Sequence, residues 1–195
     1  MRHTSDMMTI IDGGCVQEKM RYPAKETAAK HERIVKEASR LFRERGFENV
    51  TVAEVMKAAG LTHGAFYAHF GSKQELQRAA LAYGQELAAK RARSSGTKRN
   101  GRRAYADWYL SSQHRDNPGA GCTMAALAPE VARSTPELKA SFEQGLEQIL
   151  SSISGHRKET IFHTAAMLGG IILARAVKNP KLSEEILESV RETLG

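Results

Sequence analysis

Apolar residues recur at helical spacing along most of this chain, and no segment of the sequence shows the two-residue alternation of a β-strand. Over residues 30–45 the apolar positions form one stripe of an amphipathic helix, and Gly46 follows as a C-terminal cap. Residues 157–177 form the most apolar predicted helix, and residues 183–194 form a final amphipathic one. The pattern predicts an all-α protein without an internal repeat.

Two short helices are predicted after the first one. Thr51 and Glu54 have the spacing of a capping box, which predicts a helix over residues 52–59 that ends at Gly60. Thr62 can cap a further short helix that runs to residue 69. Three helices therefore occupy the first part of the chain, and a glycine turn separates the second from the third.

Longer helices and a polar loop follow. Ser72 and Glu75 have capping-box spacing and open a predicted helix over residues 73–93. Residues 94–103 are polar, contain glycine and carry a net charge of +4, so we predict a loop there. Further helices are predicted at about 105–110, from about 122 to a bend or an end near Pro129, and at 136–152, with a turn at 117–119. Residues 1–21 lack periodicity and are predicted to form a flexible tail.

The positive charge of the chain lies in its first half. Residues 21–103 contain 18 Lys and Arg against 8 Asp and Glu, whereas residues 104–195 contain 9 against 11. This asymmetry indicates a polyanion-binding part joined to a part with another role, because a uniformly basic protein spreads its charge over both halves. A Lys-rich solvated surface gives the same numbers, so charge alone does not choose between the two interpretations.

The sequence argues against several classes of protein. Residues 161–174, the longest uncharged stretch, are too few to span a membrane, and the N-terminus lacks the apolar core of a signal peptide, so we expect a cytoplasmic protein. Cys15 and Cys122 lie far apart without metal-type spacing, so we expect free thiols and no metal site. The sequence has no Gly-rich phosphate loop, no metal-binding His pair and no Gly-x-Ser-x-Gly elbow. We therefore expect neither an enzyme nor a cofactor.

Residues 51–73 have the pattern of a helix-turn-helix, in which the second helix enters the major groove of DNA. Phe66 and Phe70 would face the core. Four residues at the start of that helix would face the base edges, and they can hydrogen-bond or allow close approach: Thr62, His63, Gly64 and Ala65. Three others could contact phosphates: Tyr67, His69 and Lys73. The alternative is an ordinary helical hairpin with aromatic core residues, because such hairpins are common in α proteins.

The residues of this segment resemble a known family. The run TVAEVMKAAGLTHGAFYAHFGSKQEL from Thr51 to Leu76, with LFRERGF ahead of it, closely resembles the DNA-binding signature of TetR-family transcriptional regulators. The likeness covers roughly residues 25–80. It implies an all-helical homodimer in which three N-terminal helices bind double-stranded DNA. A larger C-terminal helical domain would then hold the dimer interface and a small-molecule pocket.

The resemblance also implies residue roles and domain limits. By position it implies phosphate contacts for five residues: Thr51, Thr62, Tyr67, His69 and Lys73. His63, Gly64 and Ala65 would lie nearest the bases. Met56 departs from the family, where a small alanine is common, and could change the angle between the second and third helices. We expect a tail at 1–21, a DNA-binding domain at 22–73 and a ligand-binding and dimerisation domain at 74–195, with the 73–93 helix connecting them.

The C-terminal part carries a weaker resemblance. Residues 121–130 look similar to one branch of repressors of the family, but this likeness does not identify a ligand. The resemblance implies that helices at about 136–152 and 157–178 pack against a partner chain. Four small residues would allow close approach of the helices: Ala165, Ala166, Gly169 and Gly170. The apolar helix could instead be the core of its own domain, but we favour the interface because much of its circumference is apolar.

Candidates for a ligand pocket are large or adaptable side chains in the predicted C-terminal helices: Trp108, Tyr109, Met124, Phe142, His163 and Met167. Most such residues are plain core, and a lone histidine such as His163 is more often a core residue than a ligand contact. Cys122 is a candidate redox thiol, since Gly121 and the nearby Arg115 could leave it exposed and activated. A small buried hydrophobe is the commoner role of such a cysteine.

The sequence thus predicts a ligand-responsive DNA-binding regulator, a repressor that a small molecule releases from a palindromic operator. Two alternatives remain. A non-specific architectural DNA-binding protein needs only the basic first half, and a helical ligand-binding protein without DNA binding needs only the second. A preference for one palindrome over random DNA by a factor of about a thousand would distinguish a regulator from the first alternative. A shift assay on the native promoter region would distinguish it from the second.

Overall fold

The computed structural model describes residues 24–96, 101–153 and 155–194, and within these ranges the chain forms helices and no strand. The α-helices are α1 Ala24–Arg45, α2 Val52–Ala58, α3 Lys73–Gly96, α4 Gly101–Tyr109, α5 Ser112–Asp116, α6 Thr123–Val131, α7 Pro136–Ser151, α8 Arg157–Ala176 and α9 Pro180–Leu194. Two 3-10 helices, His63–Ala68 and Pro118–Ala120, lie between them. The all-α prediction is confirmed. The predicted tail at 1–21, with Cys15, lies outside the described residues.

Several predicted helix limits are wrong. Helix α1 begins at Ala24 instead of residue 30, and the loop predicted at 94–103 is helical at both ends, because α3 runs to Gly96 and α4 begins at Gly101. These helix ends consist of polar residues, alanine and glycine, so they carry no stripe of large apolar side chains that hydrophobic periodicity could detect. Helix α5 was not predicted, and α6 continues past Pro129 to Val131.

Two of the three predicted caps differ from expectation. The Thr51 capping box is complete: its hydroxyl accepts from the Glu54 N–H at 3.2 Å, and the Glu54 carboxylate accepts from the Thr51 N–H at 2.8 Å. Thr62 makes no side-chain cap hydrogen bond, and the residues after it form a 3-10 helix. Ser72 accepts from the Glu75 N–H at 3.1 Å, but the Glu75 carboxylate accepts from Gly71 instead of Ser72. The 3-10 helix His63–Ala68 has six residues and no side-chain cap, and such a segment is too short to sustain an α-helical nucleus.

One hydrophobic core holds the N-terminal helices and continues into the C-terminal part. It contains Ile34 and Phe42 of α1, the fully buried Met56 of α2, and Phe66. Side chains from α6 and α7 complete the same cluster: Leu127, Val131 and Leu138. This cluster includes residues on both sides of residue 73, and the division into domains there stays a prediction. A second core lies between α4, α6, α8 and α9 and includes Tyr109, Met167, Ile171 and Leu187.

Polar contacts tie the end of α1 to the C-terminal part. The Arg43 guanidinium donates to the Gly119 carbonyl at 2.9 and 2.5 Å, and the Glu130 carboxylate accepts from the Phe47 N–H at 2.7 Å. Gly46 has a φ of 81° at the helix end, and a side chain there would collide with the Glu130 carboxylate. The position of α1 thus depends on the 118–120 turn and on α6.

Candidate nucleic-acid interface

The second element of the helix-turn-helix, residues 62–69, is called the recognition segment below. Gly60 has a φ of 66°, which turns the chain between α2 and this segment, and the Leu61 N–H donates to the Met56 carbonyl at 2.9 Å. Phe66 is buried and stacks on Phe70 at 5.7 Å between ring centroids. This packing of the inner side fixes which side of the segment faces outward.

The outer side of the recognition segment is polar, and little side-chain bulk covers its backbone. Tyr67 is 71% exposed, and His63 lies exposed beside it with ring centroids 6.3 Å apart. No atom lies within 4 Å of where a Cβ of Gly64 would stand, so the backbone is open to close approach. The predictions that Phe66 and Phe70 face the core are confirmed. The segment can present a hydroxyl, an imidazole and a bare backbone to a groove.

The residues proposed for phosphate contacts differ in their surroundings. Lys73 is half-buried in the first turn of α3 and forms no ion pair with any described residue. The Thr51 hydroxyl already donates to the Glu54 carboxylate at 2.8 Å, so it has no free proton for a phosphate. His69 lies half-buried beside His31, and burial, with smaller effects of His31 and Lys30, lowers its pKa. A neutral His69 can offer a phosphate an N–H but not a charge.

Glu54 ties α2 to α1 and has a low pKa. Hydrogen bonds from Thr51, with an added one from Arg45 at 2.9 Å, lower the pKa of Glu54 to about 2. A carboxylate whose pKa falls on folding stabilises the folded state above its ordinary pKa, and this contribution is lost as the pH falls toward the folded value.

We therefore expect a pH-dependent difference between the wild type and Glu54→Gln. The difference in their free energies of unfolding should stay constant above about pH 5.5 and shrink toward zero as the pH falls toward 2, because protonated Glu54 and glutamine make similar caps. Urea denaturation over a series of pH values measures it. Glu48→Gln, at an exposed acid of the preceding turn, is the control. A difference that stays unchanged near pH 2.5 would contradict the assignment.

An apolar stripe is exposed along α8. Phe162 is 60% exposed and Leu173 is 56% exposed. Small residues lie between and beyond them at helical spacing, Ala165, Gly169 and Ala176, and all of these are partly or fully exposed. Gly170 instead packs inside its own chain, where a Cβ would lie 3.1 Å from Leu110 and 3.3 Å from Val190. The four small residues predicted to allow helix approach therefore do not share one surface.

Helix α7 has no comparable apolar surface. Its apolar side packs on α3, and its outward residues are polar: Glu143, Gln144, Glu147 and Gln148. The half of the expected interface assigned to residues 136–152 therefore offers a partner mostly polar groups. The exposed Phe162 was missed in the sequence, although it lies eleven residues before Leu173, which is three helical turns.

The six candidate pocket residues do not line one cavity. Trp108 and Tyr109 line a cavity with Cys122, whereas His163 and Met167 line another next to α9. Met124 packs in a small cluster with Ala89 and Ile149, and Phe142 packs against that cluster. Among residues 24–96, 101–153 and 155–194, no group of His, Cys, Asp and Glu side chains could hold a metal ion, and no helix is long and apolar enough to cross a bilayer.

Cys122 is a half-buried free thiol at the N-cap of α6. Its N–H donates to His114 Nε2 at 2.9 Å, and His114 Nδ1 lies 2.6 Å from the Tyr109 carbonyl, so the neutral ring donates from Nδ1. Arg115, which we expected beside the thiol, pairs with Asp116 instead. Two other arginines, Arg43 and Arg91, line the cavity into which Cys122 opens. Only tertiary packing brings them there.

Relatives of known name share the N-terminal part. Residues 34–80 match the profile described as "Bacterial regulatory proteins, tetR family". An uncharacterized HTH-type transcriptional regulator, YerO of Bacillus subtilis, is 44% identical over 54 residues, 28% of this chain and 19% of that protein. The HTH-type transcriptional repressor NemR of Escherichia coli is 25% identical over 128 residues, 63% of this chain and 64% of that protein. The chain thus matches less than two thirds of the length of either relative.

Solved structures share the whole fold. The reduced form of NemR from E. coli aligns with a TM-score of 0.72 at 20% identity, over 85% of this chain and 95% of that one. A TetR transcriptional regulator from Chloroflexus aurantiacus aligns with a TM-score of 0.73 at 22% identity, over 87% and 94%. At these identities the likeness establishes the fold alone. Residues 34–80 are similar to the tetR family of bacterial regulatory proteins, and the chain has the fold of solved regulators of that type.

Proposed function

We propose that this protein is a DNA-binding transcriptional regulator, a homodimeric repressor that a small molecule releases from a palindromic operator. The observation that carries the proposal is the recognition segment, whose aromatic side is buried and whose outer side is polar, low and exposed. An ordinary helical hairpin has no need to expose a tyrosine and a bare glycine backbone on one face. Such a face fits the major groove of double-stranded DNA.

The proposed contacts fall into two groups, those that would reach base edges and those that would reach phosphates. Thr62, His63, Gly64 and Ala65 open the recognition segment and would lie against base edges. Tyr67, in the last turn of the segment, and Lys73, at the start of α3, would bind phosphates. Thr51 and His69 are the weaker candidates, because the Thr51 proton is already donated to Glu54 and His69 is half-buried.

We propose that α8 forms the dimer interface. The exposed stripe between Phe162 and Leu173 would be buried against the same stripe of a second copy, because an isologous contact pairs identical surfaces across a two-fold axis. The two-fold axis would present two recognition segments to DNA. This arrangement predicts an operator with the same symmetry.

The names of the relatives support regulation as the function, and NemR supports repression. A non-specific architectural protein remains the alternative, because the basic first half alone would suffice for it. The family consists of regulators, so we propose no catalytic activity, and we propose the cytoplasm, where the DNA lies, as its location.

Selection of DNA fragments by the purified protein, followed by sequencing, tests the proposal. We expect an inverted repeat whose half-site centres lie about 34–36 Å apart or a multiple of that. Affinity for the repeat should exceed that for random DNA by a factor of about a thousand or more. Equal affinity for both DNAs would favour the architectural alternative, and a non-palindromic optimum bound by one chain would contradict the dimer.

The effector in this proposal binds the C-terminal part and lowers operator affinity. By linkage it must bind free protein more tightly than the DNA-bound protein. We expect a small molecule with apolar or aromatic surface, given the aromatic residues that line the internal cavities. Equal affinity for the free and the DNA-bound protein would exclude it as an effector.

A further inference from the structure

A small cavity lies where α1, α3, α4 and the turn before α6 meet. Its volume is about 30 Å³, enough for a group of a few heavy atoms such as a carboxylate. Its walls carry two arginines, Arg43 and Arg91, and three aromatic rings, Tyr105, Trp108 and Tyr109, but no acidic residue. Leu87 is 39% exposed at the rim, so the cavity can be reached from solvent there. The charge inside is of one sign.

Arg43 is half-buried and has no carboxylate partner among the described residues. Its guanidinium donates to the Gly119 carbonyl, to Ser39 Oγ at 2.5 Å and to Thr123 Oγ1 at 3.5 Å, and all three acceptors are neutral. Burial lowers the pKa of Arg43, which marks the cost of holding its charge there. The nearby Glu44 is paired with Arg40. A partly buried cation without a counterion favours an anion beside it.

Arg91 approaches the cavity with most of its donors unused. Its guanidinium lies over the Trp108 ring, 4.6 Å from the centroid. Its hydrogen bond to the Ala120 carbonyl is long, at 3.5 Å, and no described acid pairs with it. An arginine held over an indole keeps N–H groups free for a planar carboxylate, because the N–H groups of a guanidinium lie in one plane.

The Tyr109 hydroxyl is an independent observation that points to a ligand in this cavity. Its side chain is 3% exposed, and its hydroxyl has no hydrogen-bond partner of proper geometry in the described part of the chain. The Cys122 thiol lies close to it but is a weak hydrogen-bonding group. Cys122 also makes no side-chain cap bond at the start of α6, so this helix end has no side-chain cap in the cavity wall. Both features favour an acceptor in the cavity.

We propose that this cavity binds the carboxylate of a small organic acid, with Arg91 and the Tyr109 hydroxyl as its direct ligands. Arg43 and the start of α6 supply positive potential, and the remainder of the molecule packs on Trp108 and Leu87. The inference names the chemical class of the effector. It rests on the proposed function only for its consequence at the operator.

That consequence follows from the position of Arg43. This residue belongs to α1, the first helix of the DNA-binding part, and it holds the Gly119 carbonyl of the opposite wall. A carboxylate that attracts the Arg43 guanidinium competes with that carbonyl and shifts α1 relative to the 118–120 turn. The bound anion should therefore lower operator affinity, and DNA should lower anion affinity by the same factor.

The test uses Trp108, the single tryptophan of the chain, as a reporter. The full-length protein is titrated with benzoate and, separately, with benzamide, a neutral molecule of the same shape, and calorimetry gives a second reading. We expect benzoate to bind at least tenfold more tightly than benzamide. Arg91→Gln and Tyr109→Phe should each weaken benzoate binding about tenfold, the loss expected for one hydrogen bond to a charged group.

Two controls accompany these variants. Arg93→Gln removes a neighbouring arginine of α3 that contacts Ser152 outside this cavity, and it should leave benzoate binding unchanged. Tyr109→Phe should keep its melting temperature, because the hydroxyl makes no hydrogen bond that the change would break.

Equal binding of benzoate and benzamide, or equal binding of benzoate by all variants, would overturn the proposal. The titration needs no DNA, so it tests carboxylate binding in the cavity independently of the proposed function. A protein that binds no operator would refute the proposed function, and the fluorescence titration would still show whether the cavity binds benzoate. A protein that binds both benzoate and operator, each without effect on the other, would refute the coupling through Arg43.

Discussion

Leu173→Glu should turn the dimer into a monomer and weaken operator binding about a hundredfold or more. Leu173 is 56% exposed near the C-terminal end of the apolar α8 stripe, so a charge there leaves the fold of one chain intact. In a dimer, two such charges would be buried opposite each other without partners, which opposes association. A monomer engages one half-site and loses the gain of bivalent binding. Analytical ultracentrifugation and operator titration measure both effects.

The matched control places the same charge on α7. Gln144→Glu lies on the outward polar side of that helix, and we expect it to preserve both the dimer and operator affinity. Circular dichroism should show unchanged helix content for both variants. A Leu173→Glu protein that remains dimeric would contradict α8 as the interface, and a monomer that binds the full operator tightly would contradict the bivalent reading.

His63→Ala and Lys73→Ala should weaken DNA binding in two different ways. His63 is exposed at the start of the recognition segment and can offer a ring nitrogen to a base, so its loss should cost roughly 1–3 kcal/mol on the preferred operator and relax one base position per half-site. Lys73, as a charge at the start of α3, should weaken binding to every sequence alike. Its loss should flatten the dependence of log K on log salt concentration by about 0.9 for each contact.

Binding isotherms on operator and scrambled DNA, over a series of salt concentrations, separate the two effects. His156→Ala and Lys90→Ala change exposed residues of the same types far along the chain and should have little effect. If the His63 variant lost affinity equally on both DNAs, His63 would be a backbone contact. The base-reading role would then pass to Thr62 or Ala65.

Local signals predicted much of the fold and the place of the candidate site. The capping box of Thr51, the turn at Gly60 and the inward Phe66 and Phe70 all occur as expected, because each depends on neighbours within a few residues. Local signals failed at helix ends such as the last turn of α3, where residues 94–96 are serine and glycine and nothing apolar marks the helix. They failed also at Thr62, whose hydroxyl forms no cap although its position suits one.

The sequence did not predict the contacts between residues that lie far apart in the chain. The face of α8 that remains exposed depends on where α4 and α9 pack, which is why Gly170 lies inside while Gly169 lies open. The division of six candidate pocket residues between two cavities and a core likewise depends on how α3, α4 and α8 cross.

By itself the sequence determined the helical class, the helix-turn-helix and the two aromatic residues beneath it, because helix periodicity, caps and turns are encoded by residues near one another in the chain. Tertiary structure alone decided that Arg43 of α1, Arg91 of α3 and Tyr109 of α4 meet around one cavity beside Cys122. These residues are separated by up to 79 positions. Their juxtaposition depends on the packing of whole helices, and no local pattern in the sequence specifies it.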